Sequence, residues 1–419
     1  MTLPTSIYKL IAFTLKIAGK LLNIPKPLLF CGADSAQKLL DLIIAQGSKR
    51  VLIVTDSGLA KLGMIDPIEQ QLKDKGIDVV TFAEIMPDPD EKVIVKGIKA
   101  LQHNDCELVL AIGGGSVIDA SKMIAALAKQ KRVDSFTIRA CRGMLKIWRK
   151  GLPLYVIPTT AGTGSEATMI AVVSNHKDGQ KYPIISPAIC CDVAALDAKL
   201  MTGLPKAMTA ATGMDALTHA IEAYTSNNAS AETDRYALAA VRLIFANLTT
   251  CAETPDDISA RENMALASYY AGLAFNKAGV GYVHAVAHQL GAYYHIPHGL
   301  ANAMVLTRVL RLNQQACQQR FAHLANVIGI EEYDQRKGAE QFIGQVDTLC
   351  QQLDIPAHVA ELQRHDCKDI AKAALKEAHF LYALPRYLDE QEACDLVKSL
   401  LANSEQGGSK PDVNEIVTN

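Results

Sequence analysis

The chain of 419 residues sets 42 Lys and Arg against 44 Asp and Glu, a net charge of −2 with a sequence pI near 6.6. That balance excludes the basic footprint of a nucleic-acid binder, and the length predicts about two domains with a large buried core. Hydrophobic residues make up 49% but aromatic residues only 5%, so the core is expected to be aliphatic and alanine-rich, and the ten cysteines contain no CxxC pair, which points to reduced thiols in the cytoplasm.

Residues 6–24 (SIYKLIAFTLKIAGKLLNI) put Ile7, Leu10, Ile11, Thr14, Ile17, Ala18 and Leu21 on one helical stripe. Lys9, Lys16 and Lys20 interrupt the apolar run too often for a membrane span, and no small-residue cleavage site follows for a secretory signal. The expectation is an amphipathic helix docked on the protein's own surface, ahead of one resting on anionic lipid.

Strand-like runs then appear at 50–55 (RVLIVT), 78–82 (DVVTF), 108–112 (LVLAI) and 154–157 (LYVI), separated by helix-like stretches at 58–75, 91–102 and 116–130. Such alternation implies βαβ units and a parallel sheet covered on both faces. The first strand runs into Asp56, whose carboxylate suits a ribose hydroxyl and repels a 2′-phosphate, which favours NAD over NADP. The third enters a helix through Gly113, Gly114, Gly115 and Ser116. Glycines admit a ligand close to the backbone, and the unpaired amides of the helix start favour a pyrophosphate, although the pattern is not GxGxxG. The fourth strand leads to a second turn, IPTTAGTGSE, where Thr159, Thr160, Thr163 and Ser165 supply hydroxyls beside small residues. Two such turns on successive strands point to a dinucleotide. Between them, Lys131, Arg132, Arg139, Arg142, Lys146, Arg149 and Lys150 face a single acid, Asp134; the run reads as a solvated loop or helix face, with peripheral membrane contact the lesser expectation.

From about Pro205 the grammar changes to long alanine-rich helical patterns, so a boundary is drawn between an α/β domain over 1–204 and an all-helical domain over 205–419, with a polar tail from about residue 403. Five of the eleven histidines cluster in this second half, in GMDALTHAIEAY and GVGYVHAVAHQLGAYYHIPHG. Asp215 and His219 are four apart and share a helix face; His284 and His288 repeat the spacing; His295 and His298 follow at a break. Carboxylate and imidazole donors without a thiolate suit Fe(II) or Zn(II), and spacing alone does not decide which histidines are ligands.

Together GGGSVIDASK, IPTTAGTGSE, GMDALTHAIEAYTS and GYVHAVAHQLGAYYHIPHGLANA resemble the iron-containing (group III) alcohol dehydrogenase family, in the family's order and over roughly residues 25–400. The resemblance implies a Rossmann-like α/β domain followed by a helical domain, in a dehydroquinate synthase-like plan with the active site in a cleft between them. It implies Asp215, His219, His284 and His298 as metal ligands, with iron before zinc, and His288 as a proton-transfer residue outside the ligand set. It assigns Gly114, Gly115, Ser116 and Asp119 to the pyrophosphate loop, Thr159, Thr160, Thr163 and Ser165 to the second cofactor turn, Asp56 to the ribose, and Lys181 of KYPIISP to a cofactor contact; His295 has no counterpart. It also implies a homodimer or larger. Three features depart from the family: the extended N-terminal helix, the basic 131–150 stretch, and Leu384 in LPRYLDEQEA where Asn is usual.

The expected activity is hydride transfer between a primary alcohol and NAD, with a metal as Lewis acid and His288 passing the proton. Glycerol dehydrogenase and dehydroquinate synthase share the same plan, but the DALTHAIE and PHG contexts favour the alcohol dehydrogenase. A catalytically idle scaffold is disfavoured by the intact cofactor and metal residues.

Overall fold

The computed structural model describes residues 24–402 apart from 176, 178 and 179. The expected helix over 6–24 (all but its last residue) and the expected tail from 403 lie outside the described residues. The chain divides into two compact units, one ending at Gly203 and the other continuing from Leu204.

The first unit is built on β1 (Leu28–Cys31), α1 (Ser35–Ala45), β2 (Arg50–Asp56), α2 (Ser57–Lys61), α3 (Asp66–Asp74), β3 (Asp78–Ile85), α4 (Glu91–His103), β4 (Leu108–Gly113) and α5 (Gly115–Leu127). It continues with α6 (Ser135–Ala140), β5 (Gly143–Met144), β6 (Leu154–Pro158), β7 (Ile170–Ser174), β8 (Lys181–Ile185) and β9 (Val193–Leu196). Six strands form one sheet in the order β1-β9-β6-β4-β2-β3, every neighbouring pair parallel. Alternate side chains of each strand enter two cores. Leu52, Val54, Val109 and Ala111 pack with Ile94 and Ile98 of α4 and Val117 and Ile124 of α5. Val51, Ile53, Leu108 and Leu110 pack with Leu39 and Ile43 of α1 and Leu72 of α3. A strand buried on both faces reads as a continuous apolar run, which is why RVLIVT and LVLAI were visible as strands.

Two sequence expectations change here. The single helix foreseen over 58–75 is two helices, because Gly63 takes a left-handed φ of 70° and Pro67 sits in the first turn of a new helix. The basic 131–150 stretch is only in part a solvated face. Arg139 Nε donates to the buried Glu91 at 3.1 Å, Arg142 lies over the Tyr182 ring, and Lys150 Nζ reaches Cys190 O at 2.9 Å and Asp192 at 2.7 Å. Sequence reading also passed over β1 and β9, and over a small sheet in the order β5-β8-β7. These strands are two to five residues long, too short for a period to declare itself.

The second unit contains α7 (Lys206–Thr225), α8 (Ala231–Glu253), α9 (Ile258–Ala278), α10 (Tyr282–Tyr294), α11 (His298–Val327), α12 (Gln335–Gln352), α13 (Cys367–Leu381) and α14 (Glu390–Lys398). Caps fix several starts: Ser230 and Thr233 form a capping box on α8, and Asp257 accepts from Ala260 N at the start of α9. Helix α7 is buried on nearly every side over its last three turns, as its alanines permit, and this places its polar residues inside the unit. No helix among the described residues is long and apolar enough to cross a membrane.

Candidate functional site

Helix α7 carries Asp215 and His219 one turn apart, α10 carries His284 and His288 one turn apart, and His298 is the first residue of α11. Gly299 makes that last placement possible. A Cβ at Gly299 meets the Ala211 carbonyl oxygen at 2.4 Å, so only glycine lets the start of α11 lie this close to α7. The result brings one donor atom each from Asp215, His219, His284 and His298 within 4.8 Å of one another. From Asp215 Oδ1 the distances are 3.9 Å to His219 Nδ1, 3.8 Å to His284 Nε2 and 3.5 Å to His298 Nε2. A tetrahedral ion with ligand bonds of about 2.1 Å needs donor separations of about 3.4 Å, so small inward adjustments suffice.

The donor set fits a divalent cation on an observation internal to the cluster. His284 Nε2 is buried with no hydrogen-bond partner, and it faces a carboxylate too distant to accept from it. Burial, followed by repulsion from His219, His298 and His288, holds the His284 imidazole well below the ordinary histidine range. A neutral imidazole with an unshared nitrogen is what metal ligation requires. The open side of the cluster lies at His298 and His288, whose side chains are 35% and 36% exposed, while Asp215 and His284 are closed off.

His288 stacks on His298, with ring centroids 5.3 Å apart, and its Nδ1 lies 2.6 Å from Glu377 Oε1. His295 takes no part: it ends α10 in the left-handed conformation and its N–H closes on Gly291 O at 3.0 Å.

The two glycine and hydroxyl turns lie side by side in the first unit because β4 and β6 are neighbours in register, Gly113 opposite Pro158. Gly115 is packed so closely that a Cβ there meets Thr163 Cγ2 at 2.6 Å, and Gly114 is in contact range of Thr160. The Thr159 N–H donates to Gly113 O at 3.1 Å. Ser116 Oγ accepts from Asp88 N at 3.3 Å, and Lys181 Nζ pairs with the Asp88 carboxylate at 2.6 Å, so these two residues converge on one loop after β3. Asp119, one turn into the helix after the glycine turn, has both carboxylate oxygens engaged. Its Oδ1 accepts from Ser165 Oγ at 2.5 Å and its Oδ2 from Val172 N at 2.9 Å, which makes it a fastener between the helix and the second turn. Asp56 accepts from Gly58 N at 2.8 Å and Leu59 N at 3.0 Å through Oδ1, capping α2 with one oxygen and leaving the other uncommitted to the cap.

Comparison with known proteins decides the family. Residues 27–198 match the family described as iron-containing alcohol dehydrogenase, and residues 209–401 match the C-terminal domain of the Fe-containing alcohol dehydrogenase family. Alcohol dehydrogenase 4 of Saccharomyces cerevisiae is 36% identical over 377 residues, 89% of this chain and 97% of the yeast protein. This chain belongs to the iron-containing alcohol dehydrogenase family. The NAD-dependent methanol dehydrogenase of Bacillus methanolicus is 34% identical over 359 residues, 85% of this chain and 93% of that one. The crystal structure of a 1,3-propanediol oxidoreductase superposes with a TM-score of 0.86 at 35% identity, covering 91% of this chain and all of the other, 100%. The dehydrogenase is thus an oxidoreductase acting on an alcohol, with the parallel-sheet domain and helical domain that its family shares.

Four residues of this dehydrogenase had been missed. Glu222 accepts from Gly281 N and Val283 N at 2.8 and 2.7 Å and lies 2.6 Å from His284 Nδ1. Burial pushes its carboxyl up to about 7, opposed by backbone N–H groups of Gly281, Val283 and His284. Asn302, one turn beyond His298, donates to Asp215 Oδ1 at 2.7 Å. Glu377 backs His288. Lys122 is fully buried, its Nζ donating to Ser165 Oγ and Thr168 Oγ1, both at 2.9 Å, and to Ile170 O at 2.5 Å. Glu222 stands three after His219 and Asn302 four after His298, so helical spacing carried a signal for both. Glu377 comes from a distant helix and offered none.

Proposed function

We propose that this chain is a metal-dependent, NAD-linked dehydrogenase that interconverts a primary alcohol and its aldehyde, with Asp215, His219, His284 and His298 as metal ligands and His288 as proton relay. The observation that carries the reading is the convergence of four donors around His284 Nε2, a buried nitrogen without a hydrogen-bond partner. A divalent metal bound there supplies Lewis acidity toward an alcohol oxygen, and NAD supplies the hydride acceptor. The remaining work belongs to the protein. Asn302 orients the Asp215 carboxylate, and the apolar burial of three of the four ligands keeps bulk water from competing. His288, partly exposed and anchored at Nδ1 by Glu377, is placed to accept the hydroxyl proton at Nε2 and release it to solvent.

The cofactor is assigned to the first unit. Gly113, Gly114, Gly115 and Ser116 start a helix whose amides suit a pyrophosphate, with Thr159, Thr160 and Thr163 beside them. Ser165, engaged with Asp119 and Lys122, and Lys181, engaged with Asp88, frame those turns. The uncommitted Asp56 oxygen supports NAD rather than NADP, as does the name of the Bacillus relative. Relatives named for methanol and propanediol support a primary alcohol. Family membership puts Fe(II) first and Zn(II) second, since one carboxylate and three imidazoles accept either. We place the enzyme in the cytoplasm as a homodimer or larger, with a small alcohol or aldehyde as partner, no nucleic acid, and peripheral membrane contact as the lesser reading; the ten cysteines without a CxxC pair and the net charge of −2 support that placement.

The test is NADH formation, followed by absorbance, from NAD and a series of primary alcohols with apo, Fe(II)-loaded and Zn(II)-loaded protein. Metal-dependent NADH production is expected. Turnover undiminished in metal-free buffer, or none with any alcohol in any form, overturns the reading.

A further inference from the structure

We infer that Glu222 is a positioning residue of the metal centre: it fixes which nitrogen of His284 faces the other ligands and where α10 begins relative to α7. The inference rests on the reading of Asp215, His219, His284 and His298 as ligands. Glu222 lies three residues after His219, so one segment of α7 supplies two metal ligands and this carboxyl group. Its two oxygens are fully engaged. Oε2 accepts from Gly281 N at 2.8 Å and faces His284 Nδ1 at 2.6 Å, while Oε1 accepts from Val283 N at 2.7 Å. With an N–H already donated to each oxygen, the His284 contact is an N–H donated from Nδ1 to a carboxylate, which is acceptor-only. The proton on Nδ1 leaves the lone pair on Nε2, the buried nitrogen that stands 3.8 Å from Asp215 Oδ1.

Gly281 is the N-cap of α10 and Val283 lies in its first turn, so both amides belong to the set that a helix start leaves without partners. A carboxylate from another helix satisfies them, and a negative group there is favoured by the helix dipole. The same contact therefore caps α10 and holds it against α7. The His284 ring it holds stacks on the His219 ring, with centroids 4.5 Å apart. Charge agrees with this role. Asp215 and Glu222 are both buried, and in their ionised forms they would set two negative charges against the two positive charges of a divalent ion. Carboxylates behind metal-binding histidines raise ligand basicity, and their loss weakens metal affinity about 10–100-fold.

The experiment compares full-length wild type, Glu222→Gln and Glu222→Asp by competition of Zn(II) against a chromophoric chelator and by the visible spectrum of the Co(II)-loaded protein. The expected result is about a 10–100-fold weaker Zn(II) affinity for Glu222→Gln with a changed Co(II) spectrum, and a partial return of both in Glu222→Asp. A wild type that binds neither ion refutes the ligand assignment itself. A wild type that binds, beside a Glu222→Gln variant of equal affinity and spectrum, refutes the inference alone. A residue that merely stabilised the fold lowers thermal stability without moving the Co(II) spectrum. Should Glu222→Gln not fold, long-range ¹H–¹⁵N spectra of the wild-type apoprotein decide, with the His284 signals assigned through His284→Gln: an Nδ1–H tautomer is expected, and an Nε2–H tautomer overturns the inference.

Discussion

Glu377 holds His288 by its Nδ1 at 2.6 Å, and the same carboxylate accepts from Tyr382 Oη at 2.5 Å and Gln289 Nε2 at 3.1 Å. A partly buried acid that accepts from two other side chains and meets His288 at Nδ1 fixes the ring and leaves its other nitrogen for exchange. Replacing Glu377 by Gln is expected to lower kcat about tenfold or more, within the roughly 10²–10⁴-fold that positioned proton transfer supplies. Metal content is expected to stay at the wild-type level, because Glu377 contacts no ligand of the four. Steady-state kinetics beside metal analysis checks this, and an unchanged kcat removes His288 from the proton path.

The ligand cluster makes a sharper demand. His284→Ala is expected to lose both the bound metal after dialysis and all turnover above background. Removing the imidazole also strips Glu222 of one of its three donors, and a buried acceptor left short costs about 1–3 kcal/mol. Metal stoichiometry by mass spectrometry, with a denaturation curve beside it, reads the two effects apart; a variant that retains metal and activity dismisses the assignment.

Asp56 serves both as a helix cap and as the proposed discriminator against a 2′-phosphate. Asparagine keeps the cap, since its side-chain oxygen still accepts from Gly58 and Leu59, while the charge is removed. Asp56→Asn is therefore expected to raise kcat/KM for NADP relative to NAD about tenfold, a difference of roughly 1.4 kcal/mol. If the ratio does not move, Asp56 is a cap and nothing more.

Glu166, in the second turn, is 3% exposed, and burial pushes its carboxyl up to about 7, with its own backbone N–H and Lys122 opposing. The sign follows from the raised value. Ionising the group inside the fold is unfavourable, so its cost is absent below pH 4.5, grows as the pH rises toward about 7, and is constant above that. The full cost is on the order of 3 kcal/mol at 1.36 kcal/mol per pH unit. Glu166→Gln is expected to gain on wild type in thermal midpoint as the pH is raised from about 5 to 8; a gap that is the same at both ends contradicts the burial argument.

Much of this was legible in the sequence because the strands are buried on both faces. RVLIVT and LVLAI had no polar face to confuse the pattern, and the glycine turns stood at their ends. The i, i+4 pairs Asp215/His219 and His284/His288 declared their faces for the same reason that helices have faces. What failed was local. Gly63 broke a helix that periodicity drew whole, and VAAL of β9 is only four residues long, too short for a period to show. The hydrogen bonds that Asp119 accepts from Ser165 and Val172 were likewise hidden, because only the folded sheet brings those residues near. Glu377 lay 89 residues from its histidine, a pairing no spacing rule contains.

The four proposed ligands come from three helices, and the start of α11 is held close to α7 where Gly299 meets Ala211. An ion shared among α7, α10 and α11 therefore clamps them together, and no fragment lacking one of the three can hold it as tightly. Such an ion acts on folding through mass action: at a hundredfold excess over its dissociation constant it adds about 2.7 kcal/mol to the helical unit. Supply of the metal would then govern how long the enzyme survives in its surroundings as well as how fast it turns over.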